Sequence, residues 1–388
     1  MKIKPFICLG IFLYIGCTSH NTLSSGGTDI AVRDASRRLE ETLSGSTGTN
    51  RNETPAQATK GGVQPRWIID PYAAYPKDRY IAAVGHAKDR TQAEKAALAA
   101  LTAIFERSMS SDSTVATDYS EKVRKEKYQR AVQKEIVTVS DNISIRDLIV
   151  TAASMDTLIG AEIGNVWEDE NGIVYVTAYM DRGKTISIYT DLIRINNLNI
   201  ENLTVMTAEQ KKSFDGYARY KLAALISGIN GKYAVVVMQA GGSTASLNLV
   251  NADFYNLEAL NILRNITVFV NVEGDYNNRI EYAFSKILNS EGLRTQKNNS
   301  PYTLKAALNL SEINFPNSNN KFCHYTISAN LTENATGSVF LQFNHNDRVG
   351  HLTYEGAAAR AVTVVERIIN EQYSAMLREC LAELLPRE

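Results

Sequence analysis

The sequence predicts an α/β (α+β) protein in which two small sheet-plus-helix domains follow a signal peptide and a disordered tether. Short apolar runs alternate with helical patterns in two separate stretches of the chain. The 388 residues are 44% hydrophobic, which is enough to bury two cores. Residues 18–64, by contrast, are rich in Ser, Thr, Gly and Asn, and such a segment lacks the apolar area that offsets its ordering entropy.

These patterns predict five segments along the chain. Residues 1–16 form the signal peptide, 17–64 Cys17 and a flexible tether, 65–195 the first α/β domain, 196–262 a mainly helical connector and 263–388 the C-terminal α/β domain. The tether would separate the folded part from whatever holds the amino terminus.

The amino terminus has the features of a bacterial signal peptide. Lys2 and Lys4 precede an apolar run over residues 5–15, which is too short for a membrane span because a helix needs about 20 apolar residues to cross the bilayer. The tetrapeptide that ends at Cys17, Tyr-Ile-Gly-Cys, resembles the lipobox of bacterial lipoproteins. The resemblance implies cleavage before Cys17 and acylation of its thiol, although the lipobox usually has Leu where Tyr14 stands. An ordinary cleaved signal peptide with an incidental cysteine is the alternative.

The same cysteine predicts a location and partners. Thr18, rather than Asp, follows Cys17, and in enteric bacteria this favours the outer membrane. The rule does not distinguish the periplasmic face from the surface face. The expected partners are the lipid bilayer, through acylated Cys17, and envelope proteins or peptidoglycan. A net charge of -1 argues against nucleic acid, because general nucleic-acid binders normally carry a strong basic excess. The sequence leaves the oligomeric state open.

Two cysteines remain for the folded part. Cys8 leaves with the signal peptide and Cys17 is the lipid site, so Cys323 and Cys380 are left. An exported protein could pair them in a disulfide. The alternative is two buried, unpaired thiols, since a sequence does not supply the separation of the two Cα atoms.

The first domain is predicted to begin near Trp67 and to contain a strand and a helix. The apolar run over residues 80–85 ends at a glycine, as expected of a short strand. Thr91 is a candidate N-cap, and Glu94 three residues later would complete a capping box for a helix. The apolar residues of this helix recur at helical spacing: Ala93, Ala96, Ala97, Ala100, Leu101, Ile104 and Phe105.

A hairpin is predicted at the end of the same domain. Residues 158–167 and 172–180 form two extended runs, and Asn171-Gly172 between them favours a tight turn because both residues tolerate positive φ. One face of the second run would hold Val174, Val176 and Ala178, and the other Tyr175, Thr177 and Tyr179. The charged segment 120–134 is predicted as a solvated helix or a long excursion.

The region from Arg66 to Ile188, under a third of the chain, resembles the LPP-twenty envelope lipoproteins. The resemblance lies in the order of the start Trp67 to Pro71, the strand and turn Tyr80 to Ala87, the alanine-rich helix and the hairpin Trp167 to Val176. It implies a compact α/β domain used in envelope assembly or surface attachment. It implies no catalytic residues.

The second half begins with a predicted helix from near Thr207 to Ile229 and a buried strand from Lys232 to Gln239. A further α/β unit has a strand over residues 266–272 and an amphipathic helix that ends at Gly292. Three extended runs and a final helix follow, at 302–310, 322–331, 338–343 and 358–377. This layout resembles small α/β modules of periplasmic assembly proteins, which is an analogy of fold alone.

Two Gly-His pairs mark candidate partner-contact loops. Gly85-His86 and Gly350-His351 each end a predicted strand shortly before an alanine-rich helix. Either duplication or chance could explain the repeat. The loops after these glycines, together with sheet edges, would face envelope partners.

No catalytic, cofactor-binding or metal-binding residue is predicted. His345 and His351 flank a predicted turn with Asp347, but the absence of a His-Glu-x-x-His pair favours solvated polar surface over a metal site. Glu168 and Glu170 lie in the predicted hairpin turn, where a solvated turn is favoured over an acid/base pair. The Gly-x-Ser-x-Gly signature of many serine hydrolases is also missing.

The favoured hypothesis is a membrane-anchored envelope lipoprotein that acts as a non-catalytic binding or scaffold module in envelope or surface assembly. The alternative is an envelope hydrolase that acts on peptidoglycan or glycans. An enzyme of that kind would need a deep pocket lined by two acidic groups or by histidines.

Overall fold

The computed structural model describes residues 59–106, 158–298, 300–316 and 318–387 of the chain. Cys17, the predicted signal peptide and the charged segment 120–134 lie outside the described residues. Within those residues the chain forms two sheets, and three helices lie between them in the sequence. The predicted α/β (α+β) class is confirmed.

The first sheet is short and has helix α1 on one face. Its elements are β1 (Thr59–Lys60), β2 (Tyr80–Ala87), α1 (Arg90–Glu106), β3 (Glu162–Glu168) and β4 (Val174–Asp181), with two 3-10 turns at Arg66–Ile68 and Pro71–Ala73. The strand order is β1-β3-β4-β2, in which β1 runs parallel to β3 and the other pairs are antiparallel. Val176 and Leu101 are fully buried where the sheet meets α1.

The predicted β3–β4 hairpin is confirmed. The Asp169 N–H donates to the Ile173 carbonyl at 2.9 Å, and the Asp169 carboxylate accepts the Ile173 N–H at 2.7 Å. Gly172 has a φ of +77°, which is the backbone conformation that the Asn-Gly pair predicts.

Asp89, rather than Thr91, caps helix α1. The Asp89 carboxylate accepts the N–H of Gln92 at 2.9 Å, and the Asp89 carbonyl accepts the N–H of Ala93 at 3.0 Å. The predicted Thr91 cap is therefore wrong, and Thr91 lies in the first helical turn. Asp and Thr are both favourable N-caps, so residue preference alone does not separate them.

Three helices connect the two sheets: α2 (Arg182–Thr204), α3 (Phe214–Gln239) and α4 (Ala252–Leu263). Helix α2 follows β4 directly and is absent from the sequence prediction. Two amides tie α2 to α3, because Asn196 Nδ2 donates to Asn230 Oδ1 at 2.7 Å in the buried space between the helices. The three helices thus form a packed layer.

The strand predicted over residues 232–239 is wrong, because these residues form the second half of α3. This half packs into the core of the first sheet, whereas Phe214 at the helix start packs into the core of the second sheet. A helix that is buried on several sides has no 3.6-residue apolar period, so its valine run resembles a strand. The predicted start near Thr207 is also wrong, since Ser213 caps α3 by accepting the Gly216 N–H at 3.1 Å.

Helix α3 is the one helix among the described residues whose length and apolar composition would suit a membrane span. Most of its apolar stretch is buried inside the fold, at 61%. It also carries a charged pair, in which Arg219 Nε lies 2.9 Å from Asp215 Oδ2. These features are typical of a core helix.

The second sheet is larger and belongs to the C-terminal half. Its elements are β5 (Thr267–Glu273), α5 (Arg279–Ser290), β6 (Arg294–Thr295), β7 (Tyr302–Ile313), β8 (Lys321–Glu333), β9 (Val339–His351), α6 (Tyr354–Ile368) and α7 (Ser374–Glu383). The order is β6-β5-β7-β8-β9, with β5 parallel to β6 and β7 and the other pairs antiparallel. Helices α5, α6 and α7 cover one face, where Phe284, Tyr325 and Tyr373 are fully buried.

Strand β9 is longer than the predicted run of 338–343. It continues to His351, which lies opposite Lys321 of β8. The turn predicted around Asp347 is therefore wrong, because that residue lies inside the strand opposite Tyr325. The added half is mainly polar and belongs to an edge strand, so backbone pairing rather than side-chain burial holds it in the sheet.

Candidate functional site

Three tyrosines pack together on the face of the first sheet that α1 does not cover. Tyr75 stacks on Tyr179 with ring centroids 4.5 Å apart, and Tyr80 meets both rings edge-on at 5.7 and 5.6 Å. All three side chains are half-buried, so part of each remains open to solvent. Tyr75, Tyr80 and Tyr179 are called the tyrosine cluster below.

A glycine makes room for this cluster. The β3–β4 register shifts between Ile163 and Val166, and Gly164 lies in this irregular stretch. A Cβ atom on Gly164 would lie 1.9 Å from the hydroxyl oxygen of Tyr75, which no real contact allows. The bare backbone at Gly164 therefore lets the Tyr75 ring lie flat against the sheet.

Charged groups of both signs surround the cluster. Tyr179 donates its hydroxyl to Glu162 Oε2 at 2.7 Å, and the Lys184 ammonium lies 3.6 Å from the other oxygen of Glu162. The Arg79 guanidinium lies 5.1 Å from the centre of the Tyr80 ring. Burial, and next the hydrogen bond to the Glu162 carboxylate, raise the pKa of Tyr179 far above its usual value. The Tyr179 phenol therefore stays a neutral donor.

Asp181 connects the cluster to helix α2. Its carboxylate accepts the Lys184 N–H at 3.1 Å as the N-cap of α2, and it also accepts a hydrogen bond from Arg79 Nε at 3.1 Å. Burial raises the pKa of Asp181, but the hydrogen bonds from the Lys184 backbone and from Arg79 outweigh it and the net pKa is lowered. The start of α2 and the charged edge of the cluster are thus held by one ionised side chain.

A second ring group lies further along the same face. Tyr175 is directly opposite both His86 on β2 and Trp167 on β3. Its ring centroid lies 5.6 Å from that of His86 and 5.6 Å from that of Trp167. His86, a predicted partner-contact residue, is exposed and therefore belongs to this aromatic face.

The other three predicted contact residues, Gly85, Gly350 and His351, contact neighbouring elements of the fold. These three residues and His86 all lie in strands, so the predicted loop positions are wrong. A Cβ on Gly85 would lie 2.0 Å from the backbone nitrogen of Ala97, so this glycine allows α1 to approach the sheet. Gly350 packs against the Phe322 ring, and the His351 Nδ1 accepts the N–H of Thr353 at the start of α6. The two Gly-His pairs lie in different sheets.

Neither Cys323 nor Cys380 forms a disulfide. Cys323 lies opposite Val349 of β9, whereas the Cys380 thiol donates to the Phe340 carbonyl at 3.3 Å. Phe340 and Val349 are nine positions apart along β9, or roughly 30 Å, and a disulfide needs Cα atoms within about 7 Å. Of the two alternatives, the disulfide is therefore excluded, and Cys323 is buried whereas Cys380 is only partly buried.

His345, Asp347 and His351 all lie in β9 rather than around a turn. No group of three or more His, Cys, Asp or Glu side chains suited to a metal occurs in the described parts of the chain. The His345 ring stacks on that of Tyr325 at 5.9 Å. A cleft of about 630 Å³ lies where α2 and α4 approach each other, and its lining residues include one carboxylate, Glu201, and no histidine.

Comparison with known families identifies the domain that holds the aromatic face. The family model of the LPP20 lipoproteins matches residues 65–181. This segment, which is called the LPP20 domain below, is therefore similar to that family. The LPP20 domain ends with β4 and contains the whole tyrosine cluster and the second ring group. The predicted resemblance to the LPP-twenty lipoproteins is confirmed over these residues, and it supports a lipoprotein of the cell envelope.

Three solved structures have a partial likeness to the chain. The secreted protein HP1454 from Helicobacter pylori is 12% identical and covers 76% of this chain and 98% of its own, with a TM-score of 0.35. A minor lipoprotein from Acinetobacter baumannii is 13% identical and covers 31% of this chain and 97% of its own, with a TM-score of 0.23. A candidate lipoprotein from Caulobacter crescentus is 11% identical and covers 29% of this chain and 90% of its own, with a TM-score of 0.23. No curated protein matches the chain.

The sequence prediction missed most of the LPP20 aromatic face. The alternation along β4 placed Tyr175 and Tyr179 on one face, and that was the available signal. Tyr75 follows a 3-10 turn rather than a strand, so no period connects it to Tyr179.

Proposed function

We propose that this envelope lipoprotein is a non-catalytic binding module, held at the outer membrane by acylated Cys17, whose LPP20 domain binds an envelope protein through the tyrosine cluster. The observation that supports this function most is the composition of the cluster. Half-exposed tyrosine rings lie beside an arginine and are bordered by ion pairs. Tyr and Arg are enriched among the residues that dominate protein interfaces, and polar rims commonly enclose them.

The geometry also favours a preorganised contact. Tyrosine offers a large rigid surface with few rotatable bonds, so little side-chain entropy is lost when a partner covers it. The stack of Tyr75 on Tyr179 and the hydrogen bond to Glu162 hold two of the rings before any partner arrives. A preordered surface of this kind reduces the entropic cost of association.

No described feature favours the alternative hydrolase. Glycoside hydrolysis normally uses two carboxyl groups on either side of the bond that is cleaved. The described cleft between α2 and α4 offers only Glu201 among its lining residues. In the test below, peptidoglycan is therefore an alternative binding partner of the tyrosine cluster and not a substrate.

The test is photo-crosslinking in intact cells. A benzophenone amino acid replaces Arg79, whose side chain is 68% exposed beside Tyr80, and in a control strain it replaces Tyr282, which is 72% exposed on α5. The proposal expects a discrete protein adduct from position 79 and none of the same mass from position 282. Equal adducts from both positions, or material from position 79 that collapses only after muramidase digestion, would contradict a protein partner at the cluster.

The anchor is tested by mass spectrometry of the amino-terminal peptide from the mature protein. The expected mass includes acyl chains on Cys17, and the Cys17→Ser variant is expected to leave the membrane fraction. Sucrose-gradient separation of the two membranes then tests the outer-membrane location. A mature protein without acyl groups would overturn the anchor.

A further inference from the structure

Helix α4 and the segment that precedes it carry an unusual concentration of exposed apolar side chains. Of the fourteen exposed large apolar residues among the described residues, five fall within residues 249–260. Their exposed fractions are 40% for Leu249, 43% for Val250, 53% for Phe254, 61% for Leu257 and 45% for Leu260. These five residues are called the apolar stripe below.

The stripe is distinct from the packing face of α4. Tyr255, Ala259 and Ile262 are buried where α4 meets the rest of the fold. Phe254, Leu257 and Leu260 follow each other at intervals of three residues and point away from that buried face. This side of the helix therefore exposes three large apolar side chains that no described residue covers, and the exposed Asp253 lies among them.

We infer that the apolar stripe rests on the lipid bilayer to which the protein is anchored, with Phe254, Leu257 and Leu260 in the interfacial region. The first argument is proximity. Forty-one residues separate Cys17 from Thr59, where the first sheet begins, and they span at most roughly 140 Å even when fully extended. An acylated Cys17 therefore keeps the stripe close to a lipid surface, so a weak apolar contact is enough to hold it there.

The second argument is area. Five side chains of this size at these exposures present on the order of 400 Å² of apolar surface. A stable dimer needs about 800 Å² from each partner, roughly twice that amount. A bilayer contact has no such threshold when a lipid anchor already supplies the attachment.

The charges beside the stripe indicate which lipid contact to expect. Arg264 follows the end of α4, and the Lys221 ammonium lies 3.5 Å from Asn256 Oδ1 on this helix. Asp253 and Glu258 lie on α4 itself. Because both signs are present, the contact depends on apolar insertion rather than on anionic headgroups. Vesicles of phosphatidylcholine alone are therefore a sufficient probe.

The experiment reconstitutes the acylated full-length protein in phosphatidylcholine vesicles. In a chain that also carries Cys323→Ala and Cys380→Ala, the Leu257→Cys variant carries an environment-sensitive fluorophore at its single reactive thiol. The Tyr282→Cys variant, labelled in the same way, is the matched control on α5. Spin-labelled phosphatidylcholine is expected to quench the fluorophore at position 257 at least about threefold more than the fluorophore at position 282. Adding Phe254→Asp and Leu260→Asp to the Leu257→Cys variant is expected to abolish the difference while the circular dichroism spectrum is retained.

Two outcomes would overturn the inference. Equal quenching at both positions would place the stripe in water. A fluorophore at position 257 that is already protected in detergent, in a protein that sediments as a dimer, would make a second copy the occupant. The mass of the amino-terminal peptide is measured on the same preparation. A missing acyl group would contradict the proposed anchor at Cys17. An acylated protein whose stripe is solvated would contradict only the lipid contact of the stripe.

Discussion

Tyr75 stacks on Tyr179 at 4.5 Å only because Gly164 beneath them has no side chain. The Gly164→Ala variant is therefore expected to displace the Tyr75 ring and to lower the free energy of unfolding by about 1–3 kcal/mol. Urea denaturation measures the loss, and the crosslink from position 79 should weaken with it. The matched control is Gly231→Ala in α3, where an added Cβ meets no atom within 4 Å.

The control variant should change stability in the opposite direction. Gly231 is exposed in the interior of α3, so alanine there raises helix propensity and is expected to add about 0.5–1 kcal/mol to the free energy of unfolding. A Gly164→Ala variant as stable as the wild type would mean that the tyrosine stack does not depend on the glycine.

Removing one partner of the Asn196–Asn230 hydrogen bond should lower the free energy of unfolding. The Asn230→Leu variant leaves the Asn196 amide buried without its partner and is expected to lose about 1–3 kcal/mol of unfolding free energy. Replacing both asparagines with leucine removes the orphaned amide, so the double variant should recover part of the loss. Equal losses in the single and double variants, measured by urea denaturation, would argue that packing alone is responsible.

Asp181 should make the stability depend on acid pH. Its pKa is lower in the folded protein than in the unfolded chain, so its contribution is fully present above the unfolded pKa and is lost as the pH falls through the folded value. Between about pH 5 and about pH 2.5, the wild type is expected to lose unfolding free energy more steeply than Asp181→Asn. Other carboxylates contribute to both proteins and cancel in the difference. Parallel curves would refute the role of Asp181.

Alkylation of Cys323 and Cys380 should not require a reductant, because no disulfide joins them. Both Cys323 and Cys380 are expected to react with iodoacetamide in denaturant without prior reduction, and a reductant should leave the melting temperature unchanged. Peptide mass spectrometry identifies the alkylated residues. A peptide pair joined through these cysteines in the protein from its host would contradict the geometry.

Short-range sequence patterns correctly predicted the elements whose conformation is set by residues close in the chain. The Asn171-Gly172 turn defines the β3–β4 hairpin because positive φ at Gly172 is a property of that residue alone. The amphipathic period of α5 and its end near Gly292, which has a φ of +92°, are equally local. The second half of α3 was predicted as a strand, because burial by several neighbours removed the period that marks a helix there.

The sequence by itself determined a lipobox-like start, an α/β composition, and the order of motifs by which the LPP20 domain is recognised. The tertiary structure alone decided which tyrosines meet across Gly164, how far Cys323 lies from Cys380, and which side of α4 stays uncovered. The physical reason is that turns and periods depend on residues close in the chain. Ring stacking, thiol separation and exposed apolar area depend on how distant segments pack, which no local pattern encodes.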